Sequence, residues 1–544
     1  MRAQSRAGKH GPALKNVGRA QRTLKRVEQL PDANKVMVSN LDFKIGEIEL
    51  REACEQFGDV VEVKIIKNRR VVLWAVISRI LTVGLMIGSS LYLPEHRATG
   101  VLRFAGVDKH PIAAAFVKWD AAWLLQVADK GYPPPPWRMG RTSALKVPHS
   151  DVDFFEEQVH AFFPLYSWIV RHLAACVQSW FGLDWGFALV ASAVALSNIA
   201  FVASAAALFH LSCSVLGDRR KALWGALAYC FNPASAFFST TYTESAFAFL
   251  TFAGFAVLLS PKAHCTSLRK VPLAWLSAML LCAATATRSN GVSAALIFGL
   301  AKLHWLVDEA LKTRSTRSGV VVALRFIAGA LATALQIALI VSPYIAFQGY
   351  AYQKFCAAAS TKALQMHPWC LRAVPSLYAW VQERYWGVGL LRYYTVRNIP
   401  NFLLAAPVVA VSAWGAVELW QRAAWTAVIE TVHMLLAAMG VRSKPSFAAQ
   451  QRAHGAGRML PPRASYAATA FALHWGALLC VAVLAMNVQV TTRFLAAACP
   501  PLHWRIGELL AGTKGRLCKW FTGVWVVLFF VAGPVAHALF LPWT

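Results

Sequence analysis

The residues best suited to chemistry fall in a few polar, aromatic-rich stretches: WDAAW around Asp120, HAFFP at 160–164, NPASAFFSTTYTES at 232–245, ATRSNG at 286–291, PWC and ERYWGVG within 348–399, and NVQVTTRF at 487–494. Together they supply carboxylates (Asp120, Glu244), guanidinium groups (Arg288, Arg493), amides (Asn290, Gln489) and aromatic rings (Trp119, Tyr385, Trp386). Aromatic faces stack on sugar rings, arginine forks match phosphate oxygens, and a carboxylate can take a proton from a hydroxyl. Such a set suits a substrate with a sugar, a phosphate and a lipid tail. Each residue also has an ordinary reading. Asp120, before AAWLLQVA, can cap a helix, and Glu244 can complement the first turn of the apolar helix it opens. Arg288 and Arg493 are interfacial anchors or phosphate ligands, and Tyr385 and Trp386 can belong to an aromatic belt. No HExxH, P-loop or GxGxxG is present, so neither a metal centre nor nucleotide hydrolysis is expected.

The elements that position these residues must lie in a bilayer. Of 544 residues, 57% are hydrophobic and 15% charged, and the mean hydropathy is +0.45. That composition marks an all-α polytopic membrane protein. About ten spans are expected, near 71–93, 184–211, 221–238, 244–260, 271–286, 290–306, 319–347, 400–420, 465–486 and 519–541. The first apolar run begins only at residue 71 and is long enough to span, so it is expected to act as an uncleaved anchor. Arg79 alone interrupts it and can snorkel or face other helices.

The net charge of +28 reads as basic loops on the cytoplasmic side. With a cytoplasmic N-terminus, the loops at 217–221, 260–270, 310–318 and 442–463 are cytoplasmic and basic, and the aromatic-rich stretches collect on the lumenal side. That arrangement needs 155–181 to lie on or dip into the lumenal face without spanning, and 425–439 to be an interfacial helix on the cytoplasmic side. The basic stretch 514–519 then falls awkwardly near a lumenal end. Cys356 and Cys370 share one lumenal loop, where a disulfide could persist. The PPPP run at 133–136 starts a lumenal loop insertion.

Residues 1–33 read as a basic disordered tail. Within 34–70, KVMVSNLDF, a helical IGEIELREACEQFG and DVVEVKIIKNRR resemble half of an RNA recognition motif. The RNP1 strand that should follow is missing, so this α/β appendage is expected to be non-functional and RNA is not an expected partner.

From residue 71 onward the chain resembles GPI mannosyltransferase II. The resemblance rests on ordered blocks: Trp119-Asp120, Ala161-Phe162-Phe163-Pro164, Asn232-Pro233-Ala234 with Tyr242 and Glu244, Arg288-Ser289-Asn290-Gly291, Pro368-Trp369-Cys370, Tyr385-Trp386, 400–407, Val488-Gln489-Val490 with Thr492-Arg493-Phe494, and the terminal 540–544. It implies a GT-C type glycosyltransferase of the endoplasmic reticulum membrane. Such an enzyme uses dolichyl phosphate mannose, with no cofactor, to add the second mannose through an α-1,6 linkage to a mannosyl-glucosaminyl-phosphatidylinositol acceptor on the lumenal side. Asp120 is the implied catalytic residue, with Trp119, Glu244, Arg288, Asn290, Tyr385, Trp386, Gln489 and Arg493 binding substrates. A small membrane partner subunit stays open. The alternatives are another dolichyl-phosphate-sugar-dependent transferase or a lipid-linked sugar flippase. A flippase calls for a polar path at bilayer depth, where charges are scarce here.

Overall fold

The computed structural model describes residues 27–29, 36–38, 69–96, 104, 107, 110–132, 157–260, 271–313, 318–357, 367–438, 462–541 and 543. The chain divides into two units, Met1–Arg70 and Val71–Thr544. In the first, β1 (Val27–Gln29) pairs antiparallel with β2 (Val36–Val38), Val27 opposite Val38. A strand therefore falls inside the segment expected to be a disordered tail. The remainder of the RNA-recognition-like half lies outside the described residues, as do the proline-rich insertion and the basic loops at 261–270 and 442–461.

The second unit is helical: α1 (Arg69–Tyr92), α2 (Pro111–Ala114), α3 (Asp120–Lys130), α4 (Pro164–Phe181), α5 (Trp185–Leu216), α6 (Arg219–Cys230), α7 (Glu244–Leu258), α8 (Val271–Thr287), α9 (Ala294–Thr313), α10 (Gly319–Tyr352), α11 (Leu377–Trp386), α12 (Ile399–Ala438), α13 (Pro462–Leu484), α14 (Thr491–Ala498), α15 (Pro500–Leu510) and α16 (Arg516–Ala538). Among the described residues, seven helices are long and apolar enough to cross a membrane. They correspond to seven of the ten expected spans. The segments expected at 221–238, 244–260 and 271–286 are shorter helices, with 12 residues in α6, 15 in α7 and 17 in α8. At 1.5 Å per residue these cover roughly 18–26 Å, less than the ~30 Å hydrocarbon core. Between α6 and α7 the backbone leaves the helix, and residues 232–245 are all buried. Irregular backbone at this depth is tolerated only where protein surrounds it.

Arg79 helps to supply that surrounding. It is 4% exposed, donates to the carbonyls of Cys230 and Ser235 and the hydroxyls of Ser235 and Ser239, and covers the Phe201 ring at 3.7 Å. It faces protein and does not snorkel.

Helix α4 begins and ends on one face of the bundle. Phe163 packs on Phe347, the Ser167 hydroxyl bonds the Leu124 carbonyl of α3, and Asp184, just past α4, lies 3.7 Å from His110. The helix lies along the face that carries Asp120. Residues 425–438 continue α12 and do not form a separate interfacial helix.

A pair of short helices, α14 and α15, was not anticipated. Broken at Cys499-Pro500 and buried along most of its length, it carries the chain roughly 23 Å, from Arg493 beside Asp120 to Glu508 beside Arg422 of α12. Close packing against α6 permits the crossing: a Cβ on Gly507 would stand 2.5 Å from the Trp224 carbonyl carbon. Helix α16 then returns, and Phe540 meets Trp119 with ring centroids 4.8 Å apart. The basic stretch 514–519 consequently lies on the face away from Asp120, where Lys514 pairs with Glu418.

Candidate active site

Asp120 is the first residue of α3, and Trp119 is its N-cap. The Trp119 backbone sits at φ 56°, ψ −123°, a conformation that costs a bulky residue about 1–3 kcal/mol and persists only when the surroundings enforce it. Those surroundings are visible. Tyr242 donates its hydroxyl to the Lys118 carbonyl at 3.1 Å, the Thr241 hydroxyl bonds the Phe116 carbonyl at 2.9 Å, and Lys118 pairs with Glu95 at 2.9 Å. No side chain caps α3. The Asp120 carboxylate instead takes a hydrogen bond from Arg493 Nη2 at 2.8 Å. The capping role open to Asp120 in the sequence is thus not the one it adopts.

Arg493 stands at the start of α14 between two acids, its Nη1 lying 3.5 Å from Glu244 Oε1. Arg288 Nη1 approaches the same Glu244 oxygen at 2.7 Å and donates to the Thr243 hydroxyl at 2.8 Å. The result is an alternating chain, Asp120, Arg493, Glu244, Arg288, joining residues far apart in sequence. Its members differ in access: Glu244 is fully buried, Arg493 is 14% exposed, Arg288 22% and Asp120 34%. Two positive and two negative charges balance, which makes their burial tolerable. The Phe237 and Tyr242 rings lie 4.8 and 5.3 Å from the Arg493 guanidinium. The turn that presents Arg288 depends on Gly291, because a Cβ there would come within 2.5 Å of Thr285 Cα.

The other sequence candidates stand apart from this chain. Asn290 lies in the turn after Arg288, where its carbonyl accepts from Ser293, whose hydroxyl also meets His474 Nε2 at 2.8 Å. Gln489 accepts from the Tyr393 hydroxyl at 2.6 Å, and Asn401 donates to that hydroxyl. Trp386 packs edge-on against Phe162, and its carbonyl accepts from Asn487. Tyr385 donates to Glu157 at 2.8 Å.

Glu157 centres a second polar cluster that sequence reasoning missed. It accepts from Trp380 and Tyr385 and lies 2.8 Å from His367 Nδ1. Burial alone raises the pKa of this carboxyl, but the hydrogen bonds from His367, Tyr385 and Trp380 outweigh burial and hold it below the ordinary value. Buried Lys354 and His160 meet at 3.1 Å nearby, and a disulfide joins Cys356 to Cys370. Tyr378 connects the two clusters: burial pushes its phenol pKa up, while Ser289 and Arg288 lie against it. The FEEQVHAFFP stretch carried a signal for Glu157, two acids inside an apolar, aromatic run. Among the described residues, no group of three His, Cys, Asp or Glu side chains converges as a metal-ligand set.

The curated relatives include GPI alpha-1,6-mannosyltransferase 2 of Cricetulus griseus, 29% identical, covering 83% of this chain and 85% of its own. The Homo sapiens protein of the same name is 28% identical, covering 84% and 87%. The Aspergillus oryzae GPI mannosyltransferase 2 is 33% identical over 48% of this chain and 61% of its own. Among solved structures, the oligosaccharyltransferase AglB from Archaeoglobus fulgidus, in complex with an inhibitory peptide and a dolichol-phosphate, aligns with a TM-score of 0.45 at 10% identity, covering 88% of this chain and 57% of that one. The family model described as Mannosyltransferase (PIG-V) matches residues 145–544. The chain belongs to this mannosyltransferase family and is a membrane glycosyltransferase.

Proposed function

We propose that the protein transfers mannose from dolichyl phosphate mannose to the 6-hydroxyl of the first mannose on a GPI precursor. The reaction takes place on the lumenal side of the endoplasmic reticulum membrane. The observation that carries this reading is the Asp120–Arg493–Glu244–Arg288 chain, which sets an accessible carboxylate beside two accessible guanidinium groups. Asp120 accepts the proton of the attacking hydroxyl. The hydroxyl oxygen bonds to the anomeric carbon, and the bond from that carbon to the phosphate oxygen breaks with its electron pair. Dolichyl phosphate departs, and the anomeric centre inverts from β to α. The donor phosphate gains one negative charge as this bond breaks, and Arg288 and Arg493 stabilise it there. The donor carries its own leaving group, so the scheme requires no metal or further cofactor.

The Glu157 cluster, with Tyr385 and Trp386, and the Gln489–Tyr393–Asn401 group suit sugar hydroxyls and rings of the acceptor. The basic stretch 514–519 on the face away from Asp120 supports a cytoplasmic N-terminus and a lumenal site. A small membrane partner subunit is compatible with this scheme.

The test is product identity. Microsomes containing the protein are supplied with labelled dolichyl phosphate mannose and GPI precursors bearing no, one or two mannoses. The one-mannose precursor should be labelled, and the new linkage should be α-1,6. Labelling of a different acceptor, or use of a sugar nucleotide in place of the lipid donor, would overturn the reading.

A further inference from the structure

Glu244 lies at the centre of the charge chain, yet it is fully buried and no substrate can reach it. We propose that Glu244 is a positioning residue: a fixed counter-ion that holds both arginines and lets Arg493 carry its charge from Asp120 to the departing phosphate. This inference rests on the function proposed above.

The argument follows where charge goes. During transfer Asp120 changes from carboxylate to neutral acid, while the phosphate changes from a diester with one negative charge to a monoester approaching two. One unit of negative charge therefore disappears beside Arg493 Nη2, 2.8 Å away, and reappears on the leaving group. A guanidinium paired with Asp120 alone would hold its best geometry in the ground state and oppose the change. Paired also with Glu244, at 3.5 Å, it keeps a partner whose charge never changes. Two guanidinium groups converging on one oxygen would repel each other without that carboxylate between them, and Arg288 stands at 2.7 Å on the same Oε1.

The geometry also leaves the arginines free to bind something else. Arg288 and Arg493 each reach Glu244 through Nη1, so this pairing occupies only part of each N–H fork. Arg288 and Arg493 are 22% and 14% exposed, and fork-shaped donors of this kind match phosphate oxygens.

The experiment compares Glu244→Gln, Glu244→Asp and the charge-balanced Glu244→Gln/Arg288→Gln, with the wild type and Asp120→Asn run alongside. It measures kcat and the KM of each substrate in microsomes, normalised to the amount of folded protein. Glu244→Gln keeps the shape and removes the charge. A small misplacement of groups bearing on the reaction can cost about 10²-fold, so kcat should fall by about that factor while the acceptor KM stays near wild type. Glu244→Asp keeps the charge and should recover most of the loss. If Glu244→Gln fails to accumulate, the double variant is compared with Arg288→Gln alone, because Arg288 itself serves the phosphate: a folded double variant slower than Arg288→Gln supports the proposal, and equal kcat in the two refutes it. Equal losses in Glu244→Gln and Glu244→Asp, with the acceptor KM shifted alongside kcat, would mean simple packing and also refute it. A wild type that transfers no mannose from dolichyl phosphate mannose would refute the proposed function itself. A normal wild type with an unaffected Glu244→Gln would refute only this inference.

Discussion

Replacing Arg493 by Met removes the guanidinium and keeps much of its length. The wild-type group is 14% exposed, donates to Asp120 at 2.8 Å and lies 3.5 Å from Glu244. Breaking one side of a buried ion pair costs roughly 3–5 kcal/mol. The lower end applies here, because Glu244 keeps Arg288 at 2.7 Å and Asp120, 34% exposed, can turn to water. On the rate, loss of one preorganised donor aimed at developing charge costs about 10²–10³ in kcat. Arg493→Met should therefore accumulate at a reduced level and turn over 10²–10³-fold more slowly per folded molecule, by about the same estimate. Arg493→Lys should lie between Met and wild type, because a compact ammonium reaches one carboxylate and cannot bridge both. The assay is the initial rate of labelled mannose transfer against donor and acceptor concentration, normalised by immunoblot of the detergent-soluble, monodisperse protein. Donor use should suffer more than acceptor use. A per-molecule rate for Arg493→Met within a few-fold of wild type would refute the reasoning, as would equal damage to both substrates.

Three further expectations concern the surroundings of the site. Trp119 holds a left-handed backbone at φ 56°, so Trp119→Gly should be more stable than Trp119→Ala by about 1 kcal/mol in thermal melts, although both lose the packing on Phe540; the reverse order would remove the claim of strain. The Cys356–Cys370 bridge closes a loop with a sequence separation of 14, worth about 3 kcal/mol in the chain-entropy model. Replacing both cysteines by Ser should lower the melting temperature with helical content unchanged by circular dichroism, and an unchanged melt would contradict this. The folded-state pKa of Glu157 lies below its ordinary value of 4.5, so its contribution is complete above pH 4.5 and is lost as pH falls through the folded value. Hydrogen exchange in 367–386 should accelerate in that acid window in the wild type but not in Glu157→Gln, and identical profiles would count against the assignment.

The long apolar runs behind α1, α5, α10 and α16 were legible because about 20 apolar residues have few homes besides a bilayer. The segments at 221–238, 244–260 and 271–286 read as spans for the same reason. Hydropathy records burial without distinguishing lipid from protein, so the buried loop at 232–245 looked like membrane. The crossing by α14 and α15 was hidden by its mixed composition: NVQVTTRF and PPLHWR contain the polar residues of the site and of the opposite face. At the site, residue type and blockwise resemblance brought out Asp120, Glu244, Arg288 and Arg493. Which of them touch is a property of the packing, and only the fold shows that Glu244 is inaccessible while Asp120 is open. Glu157, His160 and Lys354 went unnoticed as partners because their pairing spans about two hundred residues of chain, as in Lys354 with His160.

The central claim is that Asp120, beside Arg493, is the base that makes a mannose hydroxyl a nucleophile. The most direct measurement is mannose transfer by Asp120→Asn, assayed in microsomes with labelled dolichyl phosphate mannose and the one-mannose GPI precursor at a matched protein level. General-base catalysis of this kind contributes about 10²–10⁴-fold, so the variant should form almost no two-mannose product. Substantial formation of that product by Asp120→Asn would contradict the account.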